Sequence, residues 1–229
     1  MRSMKLLLFF DEITKDDVSV VGGKSANLGE MTTKTHVPVP FGFATTANAY
    51  RIFLTENKLW PKMRDELSKI HDANDTKILK EVGKNVRALI LKGKMPKELE
   101  SEIKKAYKQI GGGYVSVRSS ATAEDLPGAS FAGQQETFLN VHGDKEVIES
   151  VKKCYASLYT DRAIFYRIQK GFEHEKVALS AAVQKMIDST CSGVIFTLDV
   201  RNGDRSKIVI EGSYGLGEYI VLGKVTPDD

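Results

Sequence analysis

The stretch that most constrains this chain runs from Tyr114 to Val141, YVSVRSSATAEDLPGASFAGQQETFLNV. Its ends, Tyr114–Val117 and Thr137–Val141, are rich in β-branched and aromatic residues and are predicted as strands. Between them lie one guanidinium (Arg118), two acids (Glu124 and Asp125), a Pro127-Gly128 turn and a run of small residues. A small-residue loop between strands lets backbone amides approach a phosphate closely. The stretch therefore reads as a phosphate-binding flap rooted at Arg118, whose planar fork can meet phosphate oxygens through two parallel bonds. An ion pair to Glu124 or Asp125 is the competing account of the arginine. Ser119, Ser120, Thr122, Gly128, Ala129, Ser130 and Gly133 form a loop able to close over a ligand, with the glycines permitting hinge motion. An ordinary surface loop is the alternative.

The segment VVGGKSANLGEM, residues 20–31, supplies a second anion site. It approaches the phosphate-loop pattern G-x-x-x-x-G-K-S/T, but Val18 stands where the first glycine belongs. A glycine turn, a helix N-terminus and Lys24 beside it remain, and helix N-termini attract anions. A capped helix with a solvated lysine fits the same residues.

Elsewhere the chain reads as helices followed by strands. Lys5–Phe10 is a buried first strand, and the prolines of VPVPFGF (37–43) enforce extended backbone. Thr45 or Thr46 caps a helix to about Glu56, which Trp60-Pro61 breaks. A short helix spans Pro61–Ile70. Apolar residues at four-residue spacing then mark two more helices, through Ile78, Val82, Val86 and Ile90, and through Leu99, Ile103, Ala106 and Ile110. The lysines on them alternate with glutamates, as on a solvated mixed-charge face. Helices are predicted over Lys145–Tyr159 and, capped by Asp161, to about Lys170. From Val177 the period changes to two, through VALSAAVQKMI, SGVIFTLDV and KIVIEG, with a turn at Asn202-Gly203-Asp204. Gln184 lies in the first of these strands and needs a partner, which a purine or a neighbouring backbone can supply. GSYGLGEYIVLGK (212–224) reads as a glycine-rich loop entering a strand. The chain ends at VTPDD with neither a capped helix nor a polar tail, which reads as truncation.

Composition excludes several classes. Lys and Arg number 33 against 30 Asp and Glu, a formal charge of +3, without the clustered excess of a nucleic-acid binder. The apolar run Leu6–Phe10 meets Asp11 and Glu12 at once, too short for a signal peptide, and no stretch is long enough to span a membrane. The two cysteines, Cys154 and Cys191, lack metal-type spacing and suit a reducing cytoplasm. His36, His71, His142 and His174 sit near no nucleophile pattern and are assigned no catalysis. No carboxylate pair is spaced to hold Mg²⁺, so no metal ligand is assigned.

VGGKSANLGEM, VPVPFGFATTANAY, the central block, SLYTDRAIFYR, VALSAAVQKMI with SGVIFTLD, and GLGEYIVLGKVTPD together resemble the N-terminal nucleotide-binding domain of the phosphoenolpyruvate synthase (pyruvate, water dikinase) family. The resemblance covers nearly the whole chain and is weakest over residues 57–110. It implies an α+β, ATP-grasp-type fold in which two lobes hold ATP, the first roughly 1–175 and the second, incomplete, roughly 176–229. It implies ATP as ligand, with Lys24 and Arg118 as the catalytic phosphate contacts and Gly133 and Thr137 as flap contacts. Gln184 falls on the adenine side, and Glu218 is a weaker carry-over at the adenine edge.

In this family ATP phosphorylates a histidine on a swivelling domain, which passes the group to pyruvate in a barrel domain. Neither domain is recognisable here, and the ligands for Mg²⁺ are expected beyond residue 229. The chain alone is therefore expected to be inactive, with its partner domains on a longer chain or separate subunits. A related module from pyruvate, phosphate dikinase or a rifampin-type phosphotransferase, or a stand-alone nucleotide-binding module, would carry similar residues.

Overall fold

In the computed structural model, which describes residues 4–35, 37–122 and 136–224, the strand at the start of the flap does not stop at Val117. It continues as β3 (Tyr114–Ala121) because another strand is there to receive it. That partner is β5 (Leu179–Lys185), whose first six residues are all buried. A strand buried on both faces belongs in a sheet interior, and β5 pairs antiparallel with β3 on one side and with β2 (Gly42–Thr45) on the other. With β1 (Leu7–Phe9) and β4 (Thr137–His142) at the edges, the order is β1-β2-β5-β3-β4, every pairing antiparallel.

This sheet is sandwiched. Phe43, Val115, Val117, Ala181 and Val183 join the larger core, under helices α2 (Ala47–Glu56), α4 (Thr76–Lys92), α5 (Lys97–Gln109), α6 (Asp144–Ser157) and α7 (Asp161–Gln169). Leu8, Ala44 and Ala182 form a smaller core with Val21 and Ala26 of α1 (Val18–Lys34) on the opposite face. Alternation along each strand produces this division, since adjacent side chains leave a strand on opposite faces.

The helices form where capping and apolar spacing agree. Thr46 accepts the Ala49 amide at the start of α2, as the sequence suggests. Asp75 accepts the amides of Lys77 and Ile78 and starts α4, whose buried stripe is Leu79, Val82, Val86 and Ile90. α5 buries Leu99, Ile103 and Ala106 and leaves Lys104 and Lys105 paired with Glu100 and Glu102, the mixed-charge face expected there. Two starts differ from the sequence reading. The break after α2 falls at left-handed Lys58, and α3 (Leu59–Leu67) takes Trp60-Pro61 into its first turn, where proline forfeits no hydrogen bond. Thr160, not Asp161, caps α7 by accepting the Ala163 amide.

Contacts divide the chain into two compact units, Met1–Met186 and Ile187–Asp229. β5 falls in the first unit. Its double-sided burial is the reason. The second unit contains the hairpin β6 (Cys191–Phe196) and β7 (Val209–Tyr214), with the Asn202-Gly203-Asp204 turn closed by a bridge between Asp199 and Asp204. After its glycine-rich loop comes a short helix, α8 (Glu218–Val221), in place of the expected strand. Among the described residues this segment has no strand to pair with, and local i→i+4 bonds satisfy its backbone instead.

One buried charge has a consequence for stability. Arg167 is wholly buried in α7, its Nε donates to His174 Nδ1 at 2.8 Å, and its guanidinium lies over the Tyr159 ring. The other two guanidinium nitrogens have no hydrogen-bond partner among the described residues. Burial first, and the Arg167 charge second, push the His174 imidazole down to about 4. An unfolded histidine titrates near 6.5, so between these values the unfolded chain binds the extra proton, and stability falls as pH drops from about 6.5 to 4. His174 is partly exposed, which limits the effect to on the order of 2 kcal/mol. His174→Asn keeps an acceptor where Nδ1 stands and cannot titrate. Urea unfolding at pH 7 and pH 4.5 is expected to show the wild-type chain losing on the order of 2 kcal/mol more than the variant.

Candidate functional site

The helix α1 is broken in its second turn. Gly22 has φ 74° and ψ 165°, so a new helical segment begins at Gly23, with Lys24 and Ser25 in its first turn. Gly22 is obligatory on two counts. Its φ is positive, and a Cβ there would collide with the carbonyl and hydroxyl of Ser120. The glycine turn, helix N-terminus and adjacent lysine expected from the sequence are thus present, inside a helix that starts earlier, at Val18. The Ser25 amide, one of those left without an intrahelical partner, donates to Ser120 Oγ at 3.2 Å. That bond carries the segment bearing Lys24 to the strand bearing Arg118. Lys24 is half-buried.

Arg118 pairs across the sheet with Thr137 of β4 and Ala182 of β5. Directly opposed residues share a face, so Arg118, Thr137 and Ala182 lie on the α1 side together with Ser120 and Ser180. The guanidinium is half-buried, and burial pulls its pKa below the ordinary arginine value, although an arginine keeps its proton. No ion pair or hydrogen bond joins it to any described residue. Glu124 and Asp125, its candidate ion-pair partners, lie outside the described residues, as do Pro127, Gly128, Ala129, Ser130 and Gly133.

Gln184 sits on the same face, opposite Ser116 and Gly42. Of its two possible partners, the structure supplies the backbone: Nε2 donates to the Pro40 carbonyl at 3.2 Å, and the residue is 7% exposed. Thr137 is exposed at the start of β4. Glu218 belongs to the second unit, where it is the exposed first residue of α8. Four of the six residues singled out from sequence, Lys24, Arg118, Thr137 and Gln184, are therefore carried by one sheet and the helix against it.

The loop reading needs one correction. Ser119 and Ser120 are strand residues, fully buried, rather than part of a loop closing on a ligand. The ladder to β5 and the Glu136 carbonyl, which accepts the Ser119 amide, take up their backbone groups. Thr122 is fastened by hydrogen bonds to the backbone of Ala178. Sequence reasoning also missed the cluster of Ser25, Ser120 and Ser180. The available signal was the alternation of Val115, Val117, Ser119 and Ala121, which extends the strand to residue 121.

A cavity of about 1040 Å³ lies elsewhere in the first unit, at the β1 edge by Leu7, Phe9, Phe41 and Glu98. It is lined by none of Lys24, Arg118, Thr137 or Gln184, and its two lysines, Lys5 and Lys185, are outnumbered by Asp11, Glu12, Glu98 and Glu102, a poor match to a polyphosphate. Among the described residues, no group of three or more His, Cys, Asp or Glu could hold a metal ion, and no helix is long and apolar enough to cross a membrane.

Residues 18–229 match the family described as pyruvate phosphate dikinase, AMP/ATP-binding domain. The chain is 49% identical over 236 residues to a probable phosphoenolpyruvate synthase of Staphylothermus marinus, covering 100% of this chain and 28% of that protein. It is 50% identical over 232 residues to the phosphoenolpyruvate synthase of Deinococcus radiodurans, covering 99% of this chain and 30% of the relative. Identity to the Aquifex aeolicus phosphoenolpyruvate synthase is 48% over 239 residues, covering 100% and 28%. The chain thus spans 28–30% of the length of these relatives.

Proposed function

The chain belongs to the pyruvate phosphate dikinase AMP/ATP-binding family, and from that premise we propose that it is the ATP-binding portion of a phosphoenolpyruvate synthase. The observation that carries the proposal is that Arg118, a half-buried guanidinium, lies on the sheet face against which α1, the helix bearing Lys24, packs. A cation held in this way is matched by a ligand that brings its own negative charge, such as a polyphosphate. Lys24 and Arg118 neutralise the phosphate chain and stabilise charge on the phosphoryl group as it transfers, with the flap, Gly133 and Thr137 included, excluding water.

In the proposed reaction ATP phosphorylates a histidine on another domain, and that phosphoryl group reaches pyruvate to give phosphoenolpyruvate. Both later sites belong to domains other than this one. Mg²⁺ is proposed to accompany the nucleotide, with its protein ligands beyond residue 229. Gln184 and Glu218 are proposed on the adenine side, and the two units are proposed as lobes of an ATP-grasp fold. An exposed free thiol at Cys191 fits a reducing cytoplasm.

Calorimetric titration with Mg-ATP tests the nucleotide assignment on this chain directly. Saturable binding with a Kd at or below about 1 mM is expected, the range of enzyme substrate affinities. No heat of binding at millimolar nucleotide would overturn it.

A further inference from the structure

Ser25, Ser120 and Ser180 are each 0% exposed and lie where α1 meets the sheet. Ser120 and Ser180 are cross-strand partners, and the Ser25 amide donates to the Ser120 hydroxyl. The Gly22 bend presses the backbone of α1 against that same serine. We infer that Ser120 is a positioning residue for polyphosphate binding. Its hydroxyl clasps the helical segment bearing Lys24 to the strand bearing Arg118 and sets the separation of the two cations. This rests on the reading of Lys24 and Arg118 as phosphate contacts.

The placement makes the clasp direct. Ser25 follows Lys24 in the chain, and Ser120 lies two residues from Arg118 on the same face of β3, so a single hydrogen bond joins neighbours of both cations. Apolar contacts such as Val21 and Ala26 against Ala182 hold α1 on the sheet, but they are non-directional and tolerate small slides. A hydrogen bond does not, because it weakens steeply outside a narrow range of distance and angle. Packing alone does not account for the polar character of this contact. Among the described residues the hydroxyls of Ser25 and Ser180 find no partner, and a buried hydroxyl left unpaired destabilises the fold, so alanine would serve stability better at both positions. Ser120 differs from them in having a backbone amide to accept. At metal sites, removing a hydrogen bond that orients a ligating group typically costs about ten- to a hundredfold in affinity, and a loss at the lower end of that range is expected for this supporting bond.

The test compares Ser120→Ala and Ser180→Ala with the wild-type chain by Mg-ATP titration, well below their thermal midpoints. Ser120→Ala is expected to weaken Mg-ATP about tenfold. Ser180→Ala removes an adjacent buried hydroxyl without touching the Ser25 amide, and is expected to leave the affinity unchanged. Unaltered affinity in Ser120→Ala overturns the clasp. So does an equal loss in both variants, since that marks general loosening of the interface. If the wild-type chain itself fails to bind Mg-ATP, it is the nucleotide reading that falls. Should Ser120→Ala not fold, Ser120→Cys keeps the volume, weakens the acceptor and carries the same comparison.

Discussion

Replacing Arg118 by alanine is expected to raise the Kd of this chain for Mg-ATP at least about 100-fold, equivalent to about 2.7 kcal/mol. In an assembly that carries the acceptor domains, phosphoryl transfer is expected to fall by about a thousandfold, the scale on which removing one charge-stabilising donor acts. The fold is expected to survive. The guanidinium pairs with no described residue, and its strand is held by the ladders to β4 and β5, so stability should change by no more than about 1 kcal/mol. Arg118→Lys is expected to restore little, because an ammonium cannot make two parallel bonds to one phosphate. Calorimetry, a phosphoryl-transfer assay and thermal unfolding check these outcomes together. Unchanged nucleotide affinity in a folded Arg118→Ala chain would remove Arg118 from the site.

The second large effect is expected at Gly22, and it acts first on the fold. Alanine there must take φ 74°, and its Cβ would overlap the carbonyl and hydroxyl of Ser120. A φ of 74° with ψ 165° is backbone that essentially only glycine adopts, worth about 1–3 kcal/mol, and the overlap adds further strain, giving about 3–5 kcal/mol in all. A unit of this size loses roughly 2–4 °C of thermal midpoint per kcal/mol, so a fall of about 10 °C is expected. Because the collision is with the serine that accepts the Ser25 amide, nucleotide binding should weaken alongside stability. By contrast, Gly203→Ala has nothing within 4 Å of its new Cβ and suffers only the positive-φ strain, φ 76°, so its effect should be clearly the smaller. Equal losses at the two glycines would mean that the contact with Ser120 is unimportant.

Helix positions were readable because their causes are local. The α4 stripe through Val82, Val86 and Ile90, and the cap at Thr46, depend on residues within a few positions of one another, although Leu79 rather than Ile78 completes the buried stripe. Arg118 was readable for a similar reason, since a cation at the end of a β-run beside small residues is a local pattern with a chemical meaning. The glycine turn before Lys24 was recognised without the Walker spacing, and the bend at Gly22 bears it out as geometry.

What escaped the sequence depended on distant partners. Ser119 and Ser120 resemble loop residues until β5, some sixty positions later, is seen to pair with them. β5 in turn looks like one of several later strands until its burial on both faces shows that it needs two neighbours. Gln184 had two possible partners, and only the folded chain shows the Pro40 carbonyl in reach. Nor does Ser25 show in sequence that its amide ends on a hydroxyl 95 residues away. The sequence by itself determined most of the helices and the charge balance, and it singled out Lys24 and Arg118 as candidate phosphate contacts. Only the tertiary structure decided that α1 carries Lys24 to the Arg118 face and that Ser120 lies at the join. Periodicity and capping are encoded over one or two turns of chain, whereas strand order and helix docking follow from burying surfaces contributed by remote segments.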